Sequence, residues 1–245
     1  MDEQPKLKLL QNHWKKESKA NAIDHPYCNC LDPKYFKGRE LEVHQDVQDE
    51  EAPGWLRILK LIDEAANDGR EVFSPLREMD PEEWMQIVTL PTSIVKLQNV
   101  KHFIVYGSNL SRIPPEIGEM RSLEEFTPYT SYRLHWFPYE ILRCKKLKQT
   151  TVSTRAVYGN YKHRPPFPLL PQYSDLYRPK FCSICTGEFK QLPIQRWVSL
   201  RMGSDIVPLL VHACSVACLD TIQDAPDNYV KRPHCGGTKL KQPAT

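Results

Sequence analysis

Residues 90–126 read LPTSIVKLQNVKHFIVYGSNLSRIPPEIGEMRSLEEF, and their apolar side chains come in clusters that recur along the chain. Six pairs of similar residues stand 23 positions apart: Leu90 and Ile113, Pro91 and Pro114, Ile94 and Ile117, Leu97 and Met120, Val100 and Leu123, and Phe103 and Phe126. A third unit follows at a spacing of 24, with Phe137, Pro138, Ile141, Cys144 and Leu147. Internal periods of this length indicate a solenoid, whose units bury their apolar residues by stacking on one another.

The pattern resembles the leucine-rich repeat family in its LxxLxLxxNxLxxLPxxIxx form. The leucine positions are filled by Val100, Phe103, Val105, Leu110 and Ile113, and Pro114 and Ile117 follow. The resemblance implies an α/β fold, a short solenoid of about three to four repeats with parallel strands on its concave face. Ser108 stands at the family's asparagine position, which Asn160 fills in a later echo of the motif. Pro128 cannot donate to a sheet ladder, so its unit is expected to be distorted or shifted.

Helical signals precede the repeats. Apolar residues at helical spacing begin at Trp55, and Asp68-Gly69 supplies a stop. Asp80 then predicts the N-cap of a second helix, because proline and two acids follow it. Both helices are expected to shield the exposed end of the repeat stack from water.

Cysteine pairs mark the last part of the chain. Cys182 and Cys185 are separated by two residues, and Cys214 and Cys218 are four positions apart, which places both thiols on one side of a helix. Four thiolates suit zinc and fill its coordination sphere, which favours one structural zinc ion over a catalytic one. The alternating residues between the pairs predict a β-hairpin, with its turn at Gly203-Ser204-Asp205.

The order of a CxxC pair, a β-hairpin and a CSxxC pair resembles treble-clef zinc fingers of the MYND and HIT types. Those families usually carry a second ligand set, so the resemblance implies the local fold and one zinc ion only. Substitute ligands are Cys235, His212 and His234. Elsewhere, Cys28 and Cys30 with His25 could form half of a metal site, and the alternative is a turn with partly buried thiols.

These patterns divide the chain into predicted parts. They are an N-terminal extension (1–50), a helical N-terminal cap (51–89), leucine-rich repeats (90–170), a proline-rich connector (171–180), a small zinc-stabilised C-terminal module (181–235) and a flexible basic tail (236–245).

The concave face of the predicted solenoid supplies the best functional candidate. Its outward-pointing residues are Lys101, His102, Ile104, Tyr106, Glu124, Glu125, Thr127 and Tyr129. Leucine-rich repeat proteins usually bind proteins, so the resemblance implies an unknown protein partner and a scaffold role. The alternative is nucleic-acid binding through the zinc module and the basic tail, since the last stretch of the chain carries Lys231, Arg232, Lys239 and Lys241.

Composition and motifs argue against other classes. The net charge of +3 demands neither a nucleic acid nor a membrane. Apolar runs fall short of the roughly 20 residues that span a bilayer, and the first residues lack a signal-peptide core. A cytoplasmic location with reduced cysteines is therefore expected. No nucleophile–base pair is evident, and Cys144 lies at a repeat core position, so no enzyme activity is predicted.

Overall fold

The computed structural model describes residues 28–32, 34 and 38–244. These residues form a mixed α/β fold. The α-helices are α1 (Pro53–Asp68), α2 (Pro81–Trp84) and α3 (Val216–Asp220). The strands are β1 (Val72–Phe73), β2 (His102–Ile104), β3 (Glu125–Thr127), β4 (Phe137–Pro138), β5 (Gln149–Thr150), β6 (Ile194–Met202) and β7 (Asp205–Ala213). Within the described part of the chain, every helix is too short or too polar to cross a membrane.

The first sheet has four parallel strands in the order β1-β2-β3-β5. Its register pairs Phe73 with Phe103 and Phe103 with Phe126. All three side chains are fully buried, and neighbouring ring centroids lie 5.6 and 5.8 Å apart. The positions that recur every 23 residues in the sequence therefore lie side by side on β2 and β3. Buried aromatic side chains stacked in this way hold short strands in register.

Short 3₁₀-helices connect successive strands. Those at Thr92–Lys96, Pro115–Glu119 and Tyr139–Arg143 pack side by side. Each follows an extended proline, and each buries one isoleucine: Pro91 and Ile94, Pro114 and Ile117, Pro138 and Ile141. Proline has a fixed φ and no N–H, so it suits the residue that leads into a helical turn. Gly118 permits the close packing, because a Cβ there would lie 2.4 Å from the carbonyl oxygen of Glu140.

The predicted hairpin is present and joins a second sheet, in the order β4-β7-β6. β6 and β7 are antiparallel, and Met202 pairs with Asp205, so the turn itself is Gly203-Ser204. Gly203 has φ +56°, a left-handed conformation that glycine adopts without strain. β4 pairs in parallel with β7. The hairpin thus shares one hydrophobic core with the phenylalanines of the first sheet.

The helix predicted from Trp55 is confirmed as α1, which ends at Gly69 with φ 69°. The second helix was expected to continue from Asp80 through Trp84, Ile87 and Val88, but α2 stops at Trp84. The Val88 N–H, which a continued helix would direct to the Trp84 carbonyl, donates instead to Gln48 Oε1 at 2.9 Å. The chain beyond Trp84 has already tightened, because the Gln86 and Ile87 N–H groups donate to carbonyls three residues earlier.

Candidate metal centres

A tight turn after the proline-rich segment presents the first two thiols. The Cys182 N–H donates to the Gly187 carbonyl at 2.8 Å, and Thr186 N–H donates back to the Cys182 carbonyl at 3.1 Å. Thr186 adopts φ 61°, which is uncommon for a residue other than glycine. The turn is fixed to β7, because Ser183 N–H donates to the His212 carbonyl and His212 N–H donates to Ser183 Oγ.

The end of β7 presents the other two thiols. Cys214 follows the strand directly, and Ser215 is the N-cap of α3, where its Oγ accepts the Cys218 N–H at 3.2 Å. Serine is a favoured N-cap because its oxygen satisfies a free N–H of the first turn. The cap brings the Cys218 Sγ to 3.6 Å from the Cys214 Sγ.

Together these elements form a group that could hold a metal ion, termed the four-cysteine group: Cys182, Cys185, Cys214 and Cys218. Its four sulfur atoms all lie within 4.8 Å of one another. The Cys185 Sγ is 3.6 Å from the Cys214 Sγ. Tetrahedral zinc with Zn–S bonds of about 2.3 Å requires sulfurs about 3.8 Å apart. The sulfur spacing therefore suits a tetrahedral ion with little adjustment.

The turn also stabilises negative charge at Cys182. Burial raises the pKa of this thiol, but backbone N–H groups of Cys185, Ile184 and Cys214 point at its sulfur and bring the pKa down to about 7. Cys214 shows the opposite shift, because the neighbouring thiols of Cys185 and Cys218 raise its pKa to about 12. A bound cation would offset the repulsion among the closely spaced thiolates.

The three suggested substitute ligands lie outside the four-cysteine group. His212 is on β7 with its Nε2 3.0 Å from Gln195 Nε2, and burial lowers its pKa to about 3. The His234 ring packs edge-on against Phe167 with centroids 4.7 Å apart. Cys235 packs, partly buried, against a hydrophobic cluster that includes Phe167, Leu170 and Trp197, and its carbonyl accepts the Leu170 N–H.

A second group that could hold a metal ion, termed the cysteine–histidine group, consists of Cys28, Cys30, His44 and His135. The sequence predicted half of a site at the two cysteines, with His25 as the third residue. His25 lies outside the described residues. The histidines that meet the thiols are 14 to 16 and 105 residues away along the chain, so no local spacing could have identified them.

Cys144, at the repeat position expected to be buried, is 4% exposed. Its Sγ lies 3.2 Å from the Ile117 carbonyl oxygen, and burial raises its pKa to about 12. A thiol in this state is a packed core group with very little thiolate.

A buried carboxyl group lies behind the Cys182 turn. Glu140 is 2% exposed, and its Oε1 has no hydrogen-bond partner. Burial raises its pKa from 4.5 to about 6, although a hydrogen bond with Ser183 opposes the shift. Because the folded chain holds this proton more tightly than the unfolded chain, Glu140 adds stability below pH 4.5 that is lost as the pH rises through about 6.

Glu140→Gln should remove this pH dependence. Relative to wild type, its free energy of unfolding is expected to rise by about 2 kcal/mol between about pH 4.5 and about pH 7.5. Urea denaturation at the two pH values measures the difference. The control is Glu82→Gln, on an exposed acid of α2. An equal difference from wild type at both pH values would show that Glu140 does not titrate in this range.

The solvent face of the first sheet, termed the sheet face, carries the residues predicted to bind a partner. Register places His102 beside Glu125 and Ile104 beside Thr127. Beyond the strand ends, the rings of Tyr106 and Tyr129 have centroids 6.2 Å apart. All eight predicted contact residues are exposed or partly exposed: Lys101, His102, Ile104, Tyr106, Glu124, Glu125, Thr127 and Tyr129.

The chain matches no protein-family model, and no curated protein matches it. The described residues define a mixed α/β protein with a parallel sheet and two candidate metal centres, the four-cysteine group and the cysteine–histidine group.

Proposed function

We propose that this chain is a short protein of the leucine-rich repeat type that binds another protein through the sheet face. The repeat interpretation is supported by the agreement between the 23-residue sequence period and the register of β2 and β3. It is also supported by the proline-led 3₁₀-helices, whose prolines recur at spacings of 23 and 24 residues. The finer class, a capped solenoid with a concave face, is part of this proposal.

The observation that carries the binding proposal is the aromatic pair on the sheet face. Tyr129 is 44% exposed, and its ring lies beside that of Tyr106. Ile104 adds partly exposed apolar surface, and His102 and Glu125 add opposite charge when the histidine is protonated. Tyrosines next to apolar and charged groups are typical of the residues that dominate binding energy at protein interfaces.

The size of the sheet face limits what it can bind alone. Four strands spaced about 4.8 Å apart span only about 14 Å. A specific interface buries about 800 Å² on each partner. The partner must therefore also contact flanking residues, and Val72 at one edge of the sheet, 46% exposed, is suited to this.

Zinc is proposed as the ion of the four-cysteine group, in a structural role. Four thiolates match zinc in softness and number, and they leave no position for a reacting water. The ion would join the Cys182 turn to the end of β7. It would therefore hold the hairpin that shares its core with the first sheet.

Nucleic-acid binding is the alternative, through the zinc module and the basic tail. Two of its basic residues already have acidic partners, because Lys231 pairs with Asp227 and Arg232 pairs with Asp224. Ion pairs of this kind reduce the positive charge available to phosphates. This alternative predicts binding that weakens steeply as salt is raised.

A crosslinked pull-down from native cells tests the proposed function. The bait is the wild-type chain, compared with the double variant Tyr106→Ala/Tyr129→Ala. Interface tyrosines contribute about 2 kcal/mol each when they are central, about 30-fold in Kd. We therefore expect a protein captured by the wild type to be lost by the double variant.

Tyr173→Ala is the matched control, because Tyr173 is 56% exposed and lies away from the sheet face. It should capture the same protein as the wild type. Circular dichroism confirms that each variant is folded. If the folded double variant captures the same proteins as the wild type, the sheet face is not the binding site. Capture of nucleic acid that disappears at high salt would favour the alternative.

A further inference from the structure

Cys28 directly precedes a single 3₁₀ turn, Asn29–Leu31, and Cys30 lies within it, near the start of the described residues. The Cys30 N–H donates to the Cys28 Sγ at 3.1 Å, which turns both thiols toward the same side. His44 Nε2 lies 3.0 Å from the Cys28 Sγ, and His135 Nε2 lies 3.0 Å from the Cys30 Sγ. Two soft and two borderline ligand atoms thus converge from three separate parts of the chain.

The histidines are oriented as metal ligands usually are. Both direct Nε2 at the thiols, which leaves Nδ1 free to contact a second group. The Nδ1 of His135 contacts the Ala156 carbonyl oxygen. The Nδ1 of His44 faces an Asp46 carboxylate oxygen at 3.6 Å, which is too long for a hydrogen bond, so a small side-chain rotation is needed to complete this contact. Metal-bound histidines almost always donate their other ring N–H to a carbonyl or carboxylate, which fixes the tautomer and the ring orientation.

Further contacts hold these orienting groups in place. Asp46 accepts two hydrogen bonds from Arg133, at 2.7 and 2.8 Å. Arg112 also donates to the Asp46 carbonyl. His135 is 2% exposed, and its ring packs 5.3 Å from that of Tyr158. The site is therefore built on buried and hydrogen-bonded side chains, which restricts the directions that its ligand atoms can take.

We propose that Cys28, Cys30, His44 and His135 bind a second zinc ion, and that this ion fastens the turn at residues 28–31 to the rest of the fold. Tetrahedral Zn–S and Zn–N bonds of about 2.3 and 2.0 Å put neighbouring sulfur and nitrogen atoms about 3.5 Å apart. The present sulfur–nitrogen contacts of 3.0 to 3.6 Å bracket that value within small side-chain rotations.

Charge favours zinc at this position. Two thiolates balance the two charges of the ion, so the centre at the cysteine–histidine group would be neutral. A neutral centre suits a partly buried location, because burying a net charge is costly. The centre at the four-cysteine group would carry two negative charges, and it includes the exposed Cys185, where water can solvate them. The two ligand sets thus fit their different surroundings.

Zinc content per chain tests the proposal on the purified full-length protein. The wild type, supplied with zinc, should hold two ions per chain by native mass spectrometry. His44→Gln removes a ligand on a partly exposed side chain and should hold one. His163→Gln alters an exposed histidine outside both groups and should hold two. Circular dichroism shows whether each variant remains folded.

Cobalt substitution identifies which site each variant keeps. In His44→Gln, cobalt should show the absorption of a four-thiolate site. The wild type should add d–d bands at shorter wavelength, because imidazole is a stronger-field ligand than thiolate. If the wild type and His44→Gln each hold one ion, and only Cys182→Ser loses it, this proposal is overturned. The assignment of zinc to the four-cysteine group would then still stand. A wild type with no zinc would overturn both metal assignments.

His135→Gln removes a different ligand of the same ion, so it should lose that ion independently of His44→Gln. If His44→Gln is unfolded, the comparison moves to Cys28→Ser, on the partly exposed turn. Limited proteolysis gives a readout other than metal content. Loss of the ion should speed cleavage near residues 28–32 by more than tenfold and leave α1 protected. Equal cleavage in wild type and variant would contradict the fastening role.

Discussion

Cys182→Ser is expected to remove one zinc ion per chain and to destabilise the fold strongly. Cys182 is fully buried, and its sulfur accepts the Cys214 N–H at 3.4 Å. A serine hydroxyl does not ionise near neutral pH, so it is a poor substitute for a thiolate ligand. An ion present at about 1,000 times its Kd stabilises the folded chain by about 4 kcal/mol, and this stabilisation should be lost. Urea denaturation in zinc-containing buffer measures the loss.

Cys235→Ser is the matched control, because Cys235 is a partly buried free thiol outside both metal groups. It should keep its zinc and its denaturation midpoint. A chelator should lower the midpoint of the wild type more than that of Cys182→Ser. The assignment of zinc to the four-cysteine group is wrong if Cys182→Ser retains the wild-type zinc content and midpoint.

Phe126→Ala should cost about 3–5 kcal/mol of folding free energy. The Phe126 ring is fully buried, 5.8 Å from that of Phe103 and 6.3 Å from that of Phe137. It therefore packs against both sheets, since Phe137 belongs to β4. Its removal leaves a cavity where the stacked phenylalanines of the first sheet meet the second sheet. Tryptophan fluorescence during urea denaturation measures the change.

Milder substitutions keep this test informative if Phe126→Ala does not fold. Phe126→Leu conserves most of the volume and should cost about 1 kcal/mol. Glu125→Ala, on the neighbouring exposed residue of the same strand, should change stability by less than about 0.5 kcal/mol. A cost below about 1 kcal/mol for Phe126→Ala would mean that the stacked phenylalanines do not support the fold.

The period of the sequence was enough to predict which strand residues would meet. The 23-residue spacing of Phe103 and Phe126 anticipated their pairing, because a constant period keeps parallel strands in register. The hairpin and the helix after Cys214 were also predicted, from the alternation between the cysteine pairs and from the four-residue spacing of Cys214 and Cys218. Sequence signals therefore predicted the elements that depend on nearby or regularly spaced residues.

Contacts between distant segments could not be predicted in this way. Gln48 accepts the Val88 N–H from forty residues upstream, and the pairing of β4 with β7 joins residues more than 70 positions apart. The cysteine–histidine group is the clearest case, because His135 lies in a segment whose sequence suggests only an aromatic cluster. The fold alone brings that ring 3.0 Å from the Cys30 Sγ.

Site-specific photocrosslinking in native cells tests most directly whether the sheet face binds a partner. A benzophenone amino acid replaces Thr127 at the centre of that face, or Leu56, which is 57% exposed on α1. A protein crosslinked from position 127 and absent from position 56 is the expected result. The same products from both positions, or none from position 127 in a folded chain, would contradict binding through the sheet face.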